Sequence, residues 1–398
     1  MTKRRDLGPA FSSLLSAAFV TNIGDGMRLA AMPLLATSLT DSPLYISTLT
    51  AAQYLPWIVW APFGGVIVDR AERRRLILVT QTWRALLMLV LAIAILADVA
   101  SMWQLIVVAF LITAGEILVD PSIVAYVPQL VTRDDLDRAN GRLNTVEMAT
   151  NQFFGQTAGA VLYGFVPWLP FAIDAATYGG STAPLSQLPP SAEREPTERN
   201  IRAELAAGLN WIRGHDFLRP LTGSVSFFHL GTGGTIAMLV LLIEDTLDEP
   251  AWIFGVVLAI AGLGAALSSP AAAGLAERTS RRTVLTTATL GVALTTVVAS
   301  GAISAWQVVA LWFFNGAAFG LFHSVGRGFV QRHTPDELIG RTSIAQRMLS
   351  RGAFAIGALI VGAIAEATSI RAGLATAGAI HAIGAVMVWR AFHYEPAP

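Results

Sequence analysis

The chain has no cysteine and few charged residues for its length. The missing cysteine excludes disulfide bonds and thiolate metal sites. Charged residues make up 14% of the 398 positions, whereas soluble domains usually carry about 25%. The net charge is zero, which argues against a nucleic-acid partner, because such proteins present a basic face. No phosphate loop, His-Glu-x-x-His zinc motif or Gly-x-Ser-x-Gly elbow occurs, so neither an enzyme activity nor a cofactor is predicted.

Hydrophobic residues are abundant instead, at 54% of the chain with a mean hydropathy of +0.57. They form runs of the length, about 20 residues, that a helix needs to cross a bilayer. The pattern predicts an all-α membrane protein whose surroundings are the lipid bilayer. Twelve spans are expected, near residues 11–38, 45–68, 76–97, 102–127, 141–165, 168–186, 217–243, 252–273, 283–303, 306–328, 344–365 and 372–392.

The basic residues indicate how these spans are oriented. Most of the 27 fall at the N-terminus, in even-numbered loops or near the C-terminus, while Arg28, Arg84 and Arg327 are assigned to span interiors. Basic loops are retained in the cytoplasm, so both termini are expected there. Arginine is used almost to the exclusion of lysine, a weak sign of a GC-rich bacterial genome. The expected location is therefore the bacterial cytoplasmic (inner) membrane, crossed many times.

One long polar segment, Leu188–Arg219, interrupts the apolar pattern. It begins with two prolines, carries charges of both signs, and then shows a mixed apolar face that includes Trp211. We expect a cytoplasmic linker followed by an amphipathic helix along the membrane surface, either as a tether or as a regulatory segment. This predicts an N-terminal six-helix bundle at 1–187, the linker at 188–216 and a C-terminal six-helix bundle at 217–398.

A charged loop between spans two and three is the most distinctive motif, and it returns in weaker form 208 positions later. The first copy reads Gly64-Gly65-x-x-x-Asp69-Arg70-x-x-Arg73-Arg74. The second copy reads Gly274-x-x-Glu277-Arg278-x-x-Arg281-Arg282. A second repeat pairs Thr132–Leu136, after span four, with Thr334–Leu338, after span ten. Such repeats indicate two duplicated halves.

The two charged loops resemble those between helices two and three and helices eight and nine of the major facilitator superfamily. Within it the chain resembles the branch of enterobactin-type siderophore exporters and macrolide efflux proteins. The residues that carry this likeness are Asn22-x-Gly24-Asp25-Gly26, Asp120-Pro121-Ser122, Phe171-x-x-Asp174-Ala175 and Trp211-x-x-x-His215-x-x-Leu218-Arg219. The resemblance implies twelve transmembrane helices in two pseudo-symmetric six-helix bundles, the major facilitator fold. It also implies a secondary transporter with a small-molecule substrate bound near the midplane.

The chain lacks two sequence signatures that proton antiporters of this superfamily carry in spans four and five. Span four contains Glu116 and Asp120 but no arginine, and span five reads Gly155-Gln156 where a Gly-Pro pair is expected.

Acidic residues inside spans are the candidates for proton coupling, because a charge in the bilayer costs at least about 2.5–3.5 kcal/mol. Asp25, Glu116, Asp120 and Asp174 all lie in the first half, and the aligned second-half positions are Gly233, Ala318, Phe322 and, loosely, His381. Asp25, Glu116 and Asp120 are the expected proton carriers. The alternatives are an ion pair of Asp25 with Arg28, and pairing of the span-four acids with arginines. Asp174 is expected to be structural.

The charged loops are candidates for a gate at the inner face. Carboxylate–arginine contacts that exist in one state only would bias the direction in which the cavity opens. The alternative is a basic anchor on the cytoplasmic side. The gating residues are expected to be Gly65, Asp69, Arg70, Arg73, Arg74, Glu277, Arg278, Arg281 and Arg282.

Other polar residues in spans are candidates for the substrate pathway, with hydrogen bonding between helices as the alternative. They are Arg28, Glu147, Asn151, His229, Asn315, His323 and Arg327. The function expected from all of this is proton-coupled efflux of an amphipathic organic compound by alternating access, by a monomer. An importer or uniporter of a small metabolite, or a receptor on the same fold that does not transport, are the alternatives.

Overall fold

A computed structural model describes residues 7–60, 64, 67–68, 71–190 and 201–394, although the side chains of 152–153, 201–202, 327–332 and 336 are not among those described. Within these ranges every regular element is a helix. Among the described residues, eight helices are long and apolar enough by length and composition to cross a membrane. The expected all-α membrane protein is confirmed.

The helices follow the expected order of twelve spans. In the first half, span one is Pro9–Leu39, span two is Pro43–Ala52 with Pro56–Val59, span three is Arg73–Leu96, span four is Met102–Leu130, span five is Leu136–Glu147 with Met148–Gly155 and Gln156–Phe165, and span six is Leu169–Ser186. In the second half, span seven is Leu218–Leu241 with Leu242–Thr246, span eight is Ala251–Ser268 with Ser269–Ala271 and Ala272–Arg278, span nine is Arg281–Ser300, span ten is Ala305–Arg332, span eleven is Asp336–Ala367, and span twelve is Ile370–Ala391. The linker helix is Ile201–Gly214.

Side-chain caps fix where several spans begin. Glu72 accepts hydrogen bonds from the backbone N–H groups of Arg74 (3.0 Å) and Arg75 (2.7 Å) at the start of span three. Ser280 accepts one from the N–H of Thr283 (3.0 Å) at the start of span nine. Such caps satisfy donors that the first helical turn leaves unpaired. Both copies of the charged loop therefore end in a side-chain N-cap of the following helix.

The chain forms two compact units. Unit one comprises residues 1–35 and 59–198, and unit two comprises residues 36–58 and 199–398. In unit one, span three packs against spans four and six. In unit two, span nine packs against spans ten and twelve, span seven packs against spans eleven and twelve, and the first part of span two packs against span eleven. The boundaries expected at 187 and 217 stay predictions.

Span eleven is longer than the sequence indicated, because it begins at Asp336 rather than near 344. Arg347 and Arg351 lie well inside this candidate membrane span. Both already fell within the expected range 344–365, so the assignment of only Arg28, Arg84 and Arg327 to span interiors was wrong. The linker helix packs against the start of this span, where Gly208 approaches the carbonyl of Arg341.

Candidate functional site

The centre of unit one contains a cluster of buried charges joined at Asp25. One carboxylate oxygen of Asp25, Oδ1, lies 3.1 Å from Nη2 of Arg28 and 3.1 Å from Nη2 of Arg84. The same oxygen accepts a hydrogen bond from the hydroxyl of Tyr178. Spans one, three and six thus meet on a single carboxylate. The ion pair of Asp25 with Arg28, one of the two alternatives for this residue, is present.

A second carboxylate completes the cluster. Asp174 is fully buried, and its Oδ2 lies 3.5 Å from Nε of Arg28, which is itself 2% exposed. Two carboxylates therefore balance two guanidinium groups, an arrangement that lowers the cost of removing them from water. We refer to Asp25, Arg28, Arg84, Asp174 and Tyr178 as the charge cluster.

Arg84 is held from three sides. Its guanidinium lies over the ring of Tyr178, 4.1 Å from the ring centre, and its Nη2 donates to the hydroxyl of that residue at 2.6 Å. Its Nη1 donates to Oε1 of Gln81 at 3.0 Å, and Gln81 in turn contacts Ser181 at 3.3 Å. A planar guanidinium suits such simultaneous stacking and hydrogen bonding.

Two glycines of the Asn22-x-Gly24-Asp25-Gly26 motif explain how the helices come close enough to form this cluster. A Cβ atom at Gly24 would lie within 3 Å of side-chain atoms of Asp174 and Thr177. A Cβ atom at Gly26 would lie within 3 Å of the carbonyl of Asn151. Small residues allow helix backbones to approach in a membrane, so the motif sets the distances from span one to spans six and five.

Three further acids surround the charge cluster on spans four and five. Asp120 interacts electrostatically with Glu116, Arg84, Asp25 and Glu147. Its side chain is exposed, as is that of Glu147, whereas Glu116 is half-buried. The acids expected from the sequence therefore belong to one electrostatic group. Those of spans four and five form its more accessible part.

Span five departs from α-helical geometry next to this group, which the sequence did not predict. Residues Met148–Gly155 form a π-helix, and this segment includes Asn151. π-Helical turns are rare and occur often at functional sites, because the extra residue changes the direction in which side chains leave the helix. Glu147 and Asn151, two of the candidates for the substrate pathway, are therefore separated by a change in helical register.

The gating candidates are described only in part. Gly65, Asp69 and Arg70 lie outside the described residues. Arg73 is buried and donates to the carbonyl of Ala125 at 3.2 Å, while Arg74 donates to the carbonyl of Leu188 at 3.0 Å. These contacts join the start of span three to span four and to the end of span six, all within unit one.

The second copy of the loop has different contacts. Glu277, Arg278 and Arg281 are exposed. The guanidinium of Arg282 lies 3.4 Å from the centre of the Trp389 ring in span twelve, and its Nη2 is 3.5 Å from Nε2 of His393. The role of either loop in gating stays a prediction.

The polar candidates of unit two are engaged in several ways. Nδ2 of Asn315 donates to the hydroxyl of Thr295 at 2.8 Å, which joins spans nine and ten. His229 and His323 lie with their ring centres 5.9 Å apart among aromatic side chains. The backbone of Arg327 is helical, but its side chain is outside the described set.

Several residues of these sites were missed by sequence reasoning. Tyr178 and Gln81 complete the charge cluster, and their spacing held a signal, since Tyr178 follows Asp174 by four residues and Gln81 precedes Arg84 by three. Residues at these spacings share a helical face. Arg351 was missed although the expected span 344–365 contained it, because only the other polar residues of the spans were considered as candidates.

These features define a class of protein: an all-helical, multi-pass membrane protein built from two repeated halves, with paired charges buried among its spans. Comparison with known families gives the class a narrower description. The family model of transmembrane secretion effectors matches residues 7–394, and this chain belongs to that family, within the major facilitator superfamily. Its fold and family are those of a transporter.

Two relatives cover most of the chain. The uncharacterised MFS-type transporter YfiS of Bacillus subtilis is 26% identical over 369 residues, which cover 89% of this chain and 86% of the relative. The enterobactin exporter EntS of Escherichia coli O1:K1 is 23% identical over 393 residues, which cover 96% and 91%. The resemblance inferred from the sequence motifs is confirmed.

Solved transporters have the same fold. A point mutant of the nucleoside transporter NupG aligns with a TM-score of 0.76 at 13% identity and covers 97% of this chain and 98% of its own. A bacterial homologue of the lysosomal transporter Spinster, inward-facing and unoccupied, aligns with a TM-score of 0.77 at 11% identity over the full length of both chains. At these identities the likeness establishes the fold alone.

Proposed function

We propose that this chain exports an amphipathic organic compound across the bacterial cytoplasmic membrane, driven by proton entry, by alternating access. The observation that carries the proposal is the charge cluster of unit one with three additional acids around it. A buried set of ionisable groups inside membrane spans is costly. Such groups in transporters usually form part of an ion or substrate pathway.

The balance of charge within this group indicates which acids would carry the proton. Asp25 and Asp174 offset Arg28 and Arg84, so the remaining acids are in excess. Repulsion between nearby carboxylates favours the uptake of a proton by one of them. The proposed carriers are therefore Glu116 and Asp120, of which Asp120 is the more accessible. In this scheme Asp25 serves chiefly as the shared counter-ion of the two arginines rather than as a carrier.

Export is proposed from family membership and from the relative that is named an enterobactin exporter. The proposed orientation, with both termini in the cytoplasm, follows from the arginine-rich even-numbered loops. A proton moving inward down its gradient through the acids of unit one would then be exchanged for a compound moving outward.

The test is uptake into inverted membrane vesicles, which reports export in the intact cell. A panel of amphipathic drugs and siderophores is offered with and without an imposed pH gradient. We expect the wild type to accumulate at least one of them only with the gradient. Asp120→Asn should reduce that uptake to the level of vesicles without the protein. The matched control is Asp98→Asn, an exposed aspartate in the loop between spans three and four.

Three outcomes would contradict parts of the proposal. Uptake that ignores the pH gradient would indicate a uniporter. Gradient-driven uptake that survives both Asp120→Asn and Glu116→Gln would remove span four from the proton pathway. Binding of a compound without flux in either direction would indicate a receptor on the transporter fold.

A further inference from the structure

Unit two contains arginines whose surroundings differ from those of the charge cluster. The guanidinium of Arg351, in span eleven, lies 5.2 Å from the centre of the Tyr54 ring and 5.4 Å from that of Trp57. The guanidinium of Arg347, one turn earlier, lies 5.7 Å from the ring of Trp57. Both cations are thus placed on aromatic faces contributed by span two.

The aromatic faces are held firmly in place. The rings of Tyr54 and Phe354 are stacked, with 3.8 Å between their centres and 27° between their planes. A Cβ atom at Gly352 would lie 3.0 Å from Cδ1 of Ile58, so the two helices approach closely beside the stack. A cation on such a ring gains about 0.5–2 kcal/mol, depending on how much water is removed.

Neither arginine has an acidic partner among the described residues. The ion pairs found between described residues involve Arg28 or Arg84, and none involves Arg347 or Arg351. Arg351 does interact electrostatically with His229, a second potential cation. No carboxylate among the described residues therefore offsets the positive charge of Arg347 and Arg351.

The position of Arg351 makes this imbalance costly. It lies fifteen residues after Asp336 and sixteen before Ala367, at the middle of span eleven. With a rise of 1.5 Å per residue this is about 23 Å from either end of the helix. A half-buried arginine inside a candidate membrane span needs an anion or water as a partner. Contact with aromatic rings replaces only part of the stabilisation that a carboxylate would give.

We propose that Arg351, with Arg347, Tyr54 and Trp57, forms a binding site for an organic anion that carries an aromatic ring. The guanidinium would take the anionic group in a charge-assisted hydrogen bond, and the ring would stack beside Tyr54 and Trp57. The inference rests on the proposed function as a transporter of amphipathic compounds, and it narrows their class to aromatic anions.

The test uses two probes with the same ring system and opposite charge, dansylglycine and dansylcadaverine. The full-length protein is placed in phosphatidylcholine nanodiscs, whose headgroups carry no net charge and supply no competing anionic lipid. Fluorescence titrations near neutral pH are corrected with empty nanodiscs. We expect saturable binding of the anionic dansylglycine, and weaker binding of the cationic dansylcadaverine by about tenfold or more, the effect of roughly one charge-assisted contact.

Variants then separate charge from stacking. Arg351→Gln should weaken dansylglycine binding by about tenfold, Arg351→Lys should weaken it less because the charge remains, and Trp57→Leu should weaken both probes. The matched control is Arg390→Gln, at an exposed arginine in the last turn of span twelve, which should leave binding unchanged.

The proposal is overturned if the wild type binds no dansylglycine saturably, if it binds dansylcadaverine equally well, or if Arg351→Gln binds as the wild type does. The first two outcomes are read on the wild type and do not depend on the folding of a variant. The measurement needs no proton gradient. Failure of the anion site and failure of proton coupling are therefore distinguishable.

Discussion

The two units have the same close approach of helix backbones at equivalent positions, but an acidic side chain lies there in unit one and a histidine in unit two. Gly24 and Gly231 are 207 residues apart, as are Asp174 and His381. A Cβ atom at Gly24 would meet Asp174, and one at Gly231 would meet the ring of His381. The duplication has thus preserved the close approach of spans one and six, and of spans seven and twelve, while the side chain opposite the glycine changed from an acid to a buried imidazole.

The same spacing pairs Asp25 with Thr232 and Arg28 with Thr235. At this spacing the counterpart of Asp25 is Thr232, whereas the sequence alignment gave Gly233. The hydroxyl of Thr232 donates to the carbonyl of Phe228 at 2.8 Å, and that of Thr235 donates to the carbonyl of Gly231 at 2.9 Å. The hydroxyl of Thr232 also lies 3.3 Å from Nε2 of His381 in span twelve. The contacts at these positions of unit two are therefore between neutral polar groups, in place of the ion pairs of the charge cluster.

Aromatic packing fills the corresponding region of unit two. The rings of Phe228 and Phe322 are stacked with 3.9 Å between centres and 11° between planes, and His381 meets Phe228 edge-on at 5.3 Å. The difference indicates a division of roles, in which unit one would handle protons through paired charges. Unit two offers aromatic rings, and beside some of them Arg347 and Arg351, which have no carboxylate partner among the described residues.

The sharpest test of this difference is a matched pair of substitutions at Asp25 and Thr232. Asp25→Asn removes the carboxylate that Arg28, Arg84 and Tyr178 share, and leaving a buried charge without its partner costs about 3–5 kcal/mol. Thr232→Val removes two neutral contacts of the hydroxyl, one to the carbonyl of Phe228 and one to His381, each worth about 0.5–1.5 kcal/mol. Thermal unfolding followed by tryptophan fluorescence should show a larger loss for Asp25→Asn.

The control for this pair is Asp98→Asn. Asp98 is exposed and has a φ of 56°, a conformation that asparagine tolerates. The double variant Asp25→Asn/Arg84→Gln should recover part of the stability lost in Asp25→Asn, because it removes one unpaired cation. Equal unfolding temperatures for Asp25→Asn and Asp98→Asn would mean that the charge cluster contributes little to folding.

A second test concerns what the two units share. Gly155 approaches the carbonyl of Ile23, and Gly357 approaches the carbonyl of Leu230, which lies 207 residues after Ile23. Because backbone cannot move aside as a flexible side chain can, Gly155→Ala and Gly357→Ala should each destabilise by about 1–3 kcal/mol. Gly180→Ala, where a Cβ atom would meet nothing within 4 Å, is the control. The same unfolding assay would contradict a shared contact if only one of the two variants were destabilised.

Much of the fold was predictable because its signals are local. The twelve spans followed from apolar runs of membrane length, and the duplication followed from charged loops repeated at a fixed distance. The acids of spans one and four were also found, because an acid in an apolar run is conspicuous. The family of the chain was also identified from short motifs such as Asn22-x-Gly24-Asp25-Gly26.

The partners of those acids were harder to predict because they depend on which helix faces meet. That Asp25 joins Arg28, Arg84 and Tyr178 requires the packing of spans one, three and six, which no single stretch of sequence encodes. The π-helix of Met148–Gly155 has no local sequence signal that would distinguish it from an α-helix. The start of span eleven was misplaced because its polar first turns do not resemble a membrane segment, and the significance of Arg351 depends on the rings of span two that lie beside it.

The smallest expected effect concerns the beginnings of the equivalent spans one and seven. Span one begins beside Gly8, which has a φ of 90°. Span seven begins after His215, whose Nδ1 accepts hydrogen bonds from the N–H groups of Phe217 and Leu218, each at 3.3 Å. Loss of a cap costs about 0.5–2 kcal/mol, so His215→Ala should lower the stability of the second unit modestly at pH values where the imidazole is neutral.

The pH dependence of stability distinguishes a hydrogen-bonding role of His215 from a role in packing alone. Partial burial, and then the neighbouring charge of His333, lower the pKa of His215, against a weaker opposing effect of Asp216. The folded protein therefore binds a proton less readily than the unfolded chain, whose histidine has a pKa of about 6.5. The stabilisation is complete above that value and is lost as the pH falls below it. His215→Asn keeps an acceptor that does not titrate, so the stability of the wild type relative to this variant should decline on acidification; a constant difference would mean that the neutral imidazole is not the acceptor that begins span seven.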